Sequence, residues 1–316
     1  MDRIDLVKHV RETLGNAGFY VSDLYSIHLP GFDLVARRDN ALLIIKVLTN
    51  IDALLEDVAK ELQTLSTLLK ASPLLIGEKS GLGRLEDDVV YFRFGIQAIT
   101  LNTLKNHLLE GIPIKAYAAP GGLYVNLDEK KLETLRREQG ISLGSFARFV
   151  RVSRKTAQLY EKGMNARVEI ASRIEELLND EVTVSIDILK TRSGEKKTVT
   201  SSYQKSDRLK ELQREIFSLL EQLGYKIIPM ERCPFEAVSK EREQILLTCV
   251  HKYDKKLVKR AQVVSSISKI AEKHAVLFTD KETGKTNVEG TPLIIRTELK
   301  KLREPEEVIE LIIERI

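Results

Sequence analysis

The chain of 316 residues has no tryptophan, two cysteines and no long apolar run. Each shortage excludes something. Cys233 and Cys249 are too few for a disulfide framework or a zinc cluster. The five histidines are scattered without ligand spacing, so no metal or other cofactor is expected. The loop from Gly77 to Gly83 lacks the spacing of a phosphate-binding loop and reads as plain surface. No apolar stretch approaches the roughly 18 residues needed to cross a bilayer. Charges interrupt Met1-Asp2-Arg3-Ile4-Asp5, which therefore does not read as a signal peptide. Neither sign of charge dominates, since the formal net charge is +4. A cytoplasmic protein without membrane contact is the expectation, and 43% hydrophobic residues supply cores for two or three domains.

The segment from Ile141 to Gly163 carries the clearest signal. It reads as two short helices joined by a tight turn. Ser142 and Ser153 stand where hydroxyl N-caps belong. Phe146, Ala147 and Val150 share one face of the first helix, and Ala157 and Tyr160 share one face of the second. Small Ala147 lies where the helices would cross. Gly163 is a natural stop. Between Arg136 and Arg167 there are eight basic residues and two acidic ones, Glu138 and Glu161, whereas the flanks are acidic. Basic charge is thus concentrated where phosphates would lie.

These residues resemble the helix-turn-helix of the Cro/lambda-repressor family. The likeness covers about Leu123 to Glu181, with Leu132, Leu135, Arg136, Arg137 and Gly140 resembling the family's first helix and its stop. Arg151 departs from the pattern, because the family usually places a glycine in this turn. The resemblance implies an all-α domain binding double-stranded DNA, with the helix from Ser153 to Lys162 in the major groove. Arg154 and Lys155 would reach base edges, with Thr156 and Gln158 beside them. Arg136, Arg137, Ser142, Lys162 and Arg167 would hold phosphates.

The chain also contains a repeat. At an offset of 203, Phe32-Asp33-Leu34-Val35-Ala36 matches Phe235-Glu236-Ala237-Val238-Ser239, and Leu42-Leu43-Ile44 matches Ile245-Leu246-Leu247. At 202, Asp52, Leu55, Ala59 and Leu65 meet Asp254, Leu257, Ala261 and Ile267. Residues 1–117 and 207–316 therefore read as two diverged copies of one α/β fold. Each runs helix, strand, strand, long helix, strand, strand, helix. In the first copy the hairpin is Phe32 to Arg37 and Ala41 to Leu48, and the long helix is Ile51 to Lys70. A mixed sheet with helices on its faces follows.

This order resembles the restriction-endonuclease/Holliday-resolvase superfamily, whose site is an Asp on one strand and E-x-K on the next. The resemblance implies a divalent metal held by two carboxylates, with a lysine helping to activate water. Asp33 and Lys46 fit two of the positions, but Ile44 stands at the second carboxylate. In the second copy Glu236 stands for the Asp, while Leu247 and Cys249 replace the Glu and Lys. Both copies read as degenerate, and no catalytic residue is expected. A displaced carboxylate, Asp52 or Glu56, is the route by which a nuclease could survive.

Between the middle domain (123–181) and the second copy lies a strand, Val182 to Ile188, and a basic linker ending at 206. The whole resembles an archaeal transcriptional regulator: an α/β multi-domain protein with two nuclease-like domains flanking an all-α helix-turn-helix domain. The expectation is a non-enzymatic, sequence-specific DNA-binding homodimer, its nuclease-like domains serving pairing, partner or effector contact. The alternatives are a DNA nuclease targeted by the helix-turn-helix, or an interaction scaffold that no longer binds DNA.

Overall fold

The computed structural model describes residues 1–23, 31–81, 83–190 and 210–316. Most of the basic linker, from 191 to 206, lies outside them. The chain divides into two compact units. One comprises 1–9, 48–53 and 74–188; the other comprises 10–47, 54–73 and 189–316. Both contain mixed sheets, and the protein is a mixed α/β molecule.

From the N-terminus the elements are α1 (Arg3–Asn16), β1 (Tyr20–Val21), β2 (Leu34–Arg38), β3 (Ala41–Val47), α2 (Glu56–Leu69) and β4 (Ser72–Ile76). Then come β5 (Lys79–Ser80), β6 (Gly83–Arg84), β7 (Val89–Arg93), β8 (Ile96–Ile99) and α3 (Leu101–Leu109). The long helix starts at Glu56 rather than Ile51. Asn50 turns the chain by accepting the Asp52 N–H at 3.0 Å, and residues 51–53 form a single 3-10 turn. The loop after Gly77 contains a minimal ladder between β5 and β6.

The middle segment is not all-α. It contains β9 (Ala116–Ala119), β10 (Gly122–Leu127), α4 (Glu129–Glu138), α5 (Leu143–Val150), α6 (Arg154–Tyr160), β11 (Ala166–Arg167), α7 (Val168–Leu178) and β12 (Thr183–Val184). Leu123, Val125 and Leu127 alternate along β10, which pairs antiparallel with β9, β11 and β12. Val125 and Leu127 join Leu132, Phe146, Ala147, Val150, Ala157, Tyr160 and Ile174 in one core. Helices and strands therefore share a core, and the strands cannot be separated from it. The strand expected over Val182 to Ile188 shortens to β12, because β10 offers it only Asn126 and Leu127; further on, the Ile186 N–H donates to the Ile114 carbonyl.

The C-terminal part contains α8 (Glu211–Gln222), β13 (Lys226–Pro229), β14 (Ala237–Glu241), β15 (Gln244–Val250), α9 (Lys255–Ala271) and β16 (His274–Thr279). It ends with β17 (Asn287–Val288), β18 (Thr291–Ile295), α10 (Arg296–Leu299) and α11 (Pro305–Glu314). Its sheet runs β13-β14-β15-β16-β18-β17. The ladder registers repeat at the offset read in the sequence: Val35 opposes Ile44 and Val238 opposes Leu247. Leu75 opposes Ala98 in a parallel pair, as Leu277 opposes Leu293.

Within the second unit the two copies interlock. Glu61 on α2 accepts the Glu231 and Arg232 N–H groups at 3.2 and 2.8 Å, and Asp57 pairs with the Arg232 side chain. Arg37 on β2 pairs with Glu272 just after α9 at 2.6 Å. The Gly31 N–H donates to the Arg232 carbonyl at 3.0 Å. A Cβ on Gly31 would stand 2.7 Å from that oxygen, so only glycine permits the approach.

Candidate nucleic-acid interface

Three helices in a row, α4, α5 and α6, start on a side-chain cap. Asp128, Ser142 and Ser153 accept the N–H groups of Lys131, Ser145 and Thr156 at 3.0, 3.1 and 3.0 Å. All three also end in the same paired turn. Just past each helix one N–H donates five residues back (Ile141 to Arg136, Val152 to Ala147, Met164 to Leu159), and the residue before it donates three back. That turn needs a left-handed residue. Gly140 and Gly163 supply it twice; Arg151 supplies it once, at φ 61°. The departure from glycine is met by accepting a left-handed arginine, with its side chain in solvent.

The turn holds α5 and α6 on a fixed core while leaving a basic surface. Phe146 and Val150 are fully buried, and Arg173 on α7 donates to the Val150 carbonyl at 3.3 Å. Tyr160 closes the core from α6, and burial raises its phenol pKa above the usual value. Arg154, Lys155 and Gln158 on α6 are exposed, as are Lys162 and Arg167 beyond it; Thr156 is half-buried. Arg137 is exposed and pairs with Glu133 one helical turn back. Ser142 and Ser153 are exposed, but their hydroxyls are engaged as caps.

Arg136, expected on a phosphate, is turned inward. Its guanidinium grips Glu161 through two nitrogens and donates to the Ile141 carbonyl at 2.7 Å. Both side chains of this pair are 11% exposed. The ion pair withdraws the one carboxylate that closes α6, so the outer face of the motif is left cationic. Arg148 and Arg151 at the end of α5 are exposed too and extend that face, as simple charge counting in the turn could have suggested. Two further features were not anticipated. Tyr124 on β10 stands directly opposite Arg167, and Asn165 donates to the Tyr117 hydroxyl at 2.6 Å.

The nuclease-like positions are equally well defined. Asp33 and Lys46 pair at 3.4 Å with 10% and 7% exposure. Asp33 also accepts the Val47 N–H at 2.8 Å. Ile44, two residues before Lys46 on the same strand face, is fully buried. In the second copy Glu236 accepts the Val250 N–H at 2.9 Å, the equivalent bond at the same offset. Its ion-pair partner is Arg260 from α9, whereas Leu247 and Cys249 are buried. Burial, reinforced by the Glu236 charge, pushes the Cys249 thiol well above its ordinary range, so it stays neutral. Asp52 accepts the Gly81 N–H at 2.6 Å and faces Arg93; Glu56 pairs with Lys60 at 2.6 Å. Among the described residues no group of three His, Cys, Asp or Glu side chains converges on a metal position. One carboxylate beside a methyl-bearing side chain and an ammonium does not fit the divalent ion of an active nuclease.

Residues 3–114 match the family model of the PD-(D/E)XK superfamily domain. This places the N-terminal part in the nuclease-fold class. Relatives match along nearly the full length. A protein of Methanosarcina acetivorans is 36% identical over 316 residues, covering 98% of this chain and 96% of its own length. One of Methanococcoides burtonii is 38% identical over 311 residues, with the same coverage. A third, of Halorubrum lacusprofundi, is 36% identical over 320 residues. All three carry the provisional name HTH-type transcriptional regulatory protein, and this chain belongs to their family. No solved structure matches the chain. No helix among the described residues is long and apolar enough to cross a membrane.

Proposed function

We propose that the protein is a sequence-specific double-stranded DNA-binding regulator that reads the major groove with α6. The observation that carries this reading is the outer face of α5 and α6. It exposes Arg148, Arg151, Arg154, Lys155 and Lys162 while its acid, Glu161, is locked inward by Arg136. Arg154 and Lys155 contact base edges, with Thr156 and Gln158 supporting them. Arg137, Lys162 and Arg167 hold phosphates; Ser142 and Ser153 offer their helix N-termini. Arg136 acts as a positioning residue through Glu161. One short helix reads few base pairs, so a homodimer on a two-fold site is the economical arrangement.

The nuclease-like copies serve as scaffold rather than enzyme. Their surviving carboxylates clamp backbone N–H groups, and the second metal ligand is replaced by Ile44 in one and Leu247 in the other. Selection of bound fragments from the source genome followed by footprinting tests the regulator reading, and recovery of no enriched sequence would sink it. Incubation with supercoiled and branched DNA in Mg²⁺ or Mn²⁺ tests the scaffold reading. Cleavage that disappears in Asp33→Ala would refute it.

A further inference from the structure

We propose that an aromatic row on one sheet face, in the unit that holds α5 and α6, binds a single DNA strand by stacking on its unpaired bases. The row crosses four neighbouring strands, β7, β9, β10 and β11. Tyr117 on β9 lies directly opposite Tyr124 on β10, and Tyr124 lies directly opposite Arg167 on β11. Val90 on β7 is level with Tyr117, and Phe92 follows two residues on along the same strand face. The Phe92 and Tyr117 rings meet edge to face with centroids 6.2 Å apart, and Tyr117 stacks with Tyr124 at 6.1 Å. At roughly 4.8 Å per strand the row spans roughly 14 Å, room for about two or three splayed bases.

The sequence neighbours of this row face the other way. Val125 and Ala166 point into the core shared with α5 and α6, so Tyr124 and Arg167 occupy the opposite face of the same strands. All three rings are half-exposed, and Arg167 is exposed at the end of the row. A sheet face turned away from the core is ordinarily polar, so three adjoining rings mark a contact surface. Both tyrosines are tied at their hydroxyls. Asn165 donates to Tyr117 at 2.6 Å, and Tyr124 donates to the Pro120 carbonyl at 3.4 Å. The rings are thus oriented in advance, and less side-chain freedom is lost on binding. A Cβ on Gly121 would stand 3.2 Å from the Tyr124 hydroxyl and 3.4 Å from an Arg167 guanidinium nitrogen, so ring and cation close on one turn. Rings that stack on any base, beside a cation that tracks phosphates, suit a single strand; a duplex hides its base faces. The row is continuous with the proposed groove-reading helix, because Tyr160, the last residue of α6, lies within electrostatic reach of Arg167 and Tyr124. In placing the strand beside an operator the assignment rests on the regulator reading; the stacking does not.

Fluorescence anisotropy of the full chain with a labelled oligothymidylate of about 12 nucleotides, at near-physiological salt, tests the assignment. The chain has no tryptophan, so quenching of tyrosine emission reports stacking directly. Saturable binding with quenching is expected, about tenfold or more tighter than for an abasic oligomer of equal length and charge. Tyr117→Leu/Tyr124→Leu keeps the apolar bulk and should lose about tenfold or more in affinity. Tyr117→Phe/Tyr124→Phe keeps the rings and should stay within about threefold of wild type. Arg154→Ala/Lys155→Ala should lose duplex discrimination and keep oligothymidylate binding, so failure of this proposal and failure of the regulator reading are told apart. Equal affinity of wild type for the abasic oligomer would overturn the proposal before any variant is made. So would unchanged affinity in the leucine variant, an equal loss in the phenylalanine variant, or a leucine variant that loses as much affinity for random duplex as for the single strand. Light scattering that shows the leucine variant dissociating where wild type pairs would give the face to a second copy of the chain, and would overturn it too.

Discussion

The N-terminal nuclease-fold copy and its C-terminal counterpart keep the same backbone clamp and differ in how they neutralise it. In the first, Asp33 holds the Val47 N–H and its counter-ion is Lys46 on the neighbouring strand. In the second, Glu236 holds the Val250 N–H, but Cys249 stands in the lysine position and Arg260 reaches in from α9. On the scaffold reading proposed above, a carboxylate that has exchanged its partner and kept its hydrogen bond is one that folding holds in place. The difference also separates a cation that is almost wholly buried from one that is a third exposed. The same mutation should therefore cost more in the first copy than in the second.

The severest test restores what the first copy lacks. Ile44→Glu puts a second carboxylate into a fully buried position opposite Val35, two residues along from Asp33. A loss of about 4 kcal/mol in denaturant unfolding is expected, from lost apolar burial and an unpaired buried charge. Rescue of the melting temperature by Mn²⁺ would show that the surrounding shell still supports a metal; none is predicted. Next, Asp33→Ala should cost about 3 kcal/mol, because Lys46 stays buried without its carboxylate. Adding Lys46→Met should recover most of that loss. Glu236→Ala should cost about 2 kcal/mol, mainly the bond to the Val250 N–H, since Arg260 can turn to water. Equal losses at the two carboxylates would break the comparison.

The smallest effect lies in the middle segment, where three helices end in one turn geometry. Arg151→Gly should stabilise by up to about 1 kcal/mol or be neutral, because it trades left-handed strain for chain entropy. Gly163→Ala should destabilise instead, since its φ is 87° and a Cβ would meet the Glu129 carboxylate at 2.5 Å. Thermal unfolding of the two variants side by side checks the signs.

What the sequence revealed depended on how local the cause was. The serine caps at 142 and 153 and the core faces of α5 and α6 depend on neighbours within one or two turns, so spacing exposed them. The repeat was legible because matching β2–β3 and β14–β15 registers demand matching apolar runs. Strand β10 was missed because Leu123, Val125 and Leu127 sit against a helical segment, and their period of two was absorbed into its boundary. The inward turn of Arg136 was invisible because its partner Glu161 is 25 residues away. Ile44, by contrast, was readable at once, since the chemistry of a metal ligand is a property of the residue itself.

The central claim is that α6 reads base sequence while the flanking copies are scaffold. Its most direct measurement is the affinity of the full chain for a selected genomic fragment and for random duplex, in wild type and in Arg154→Ala/Lys155→Ala. The claim predicts that the variant folds with an unchanged melting temperature. It should lose about 1–3 kcal/mol of discrimination per lost base contact and retain residual salt-sensitive binding to any duplex. A variant that discriminates between the two DNAs as well as wild type would contradict it.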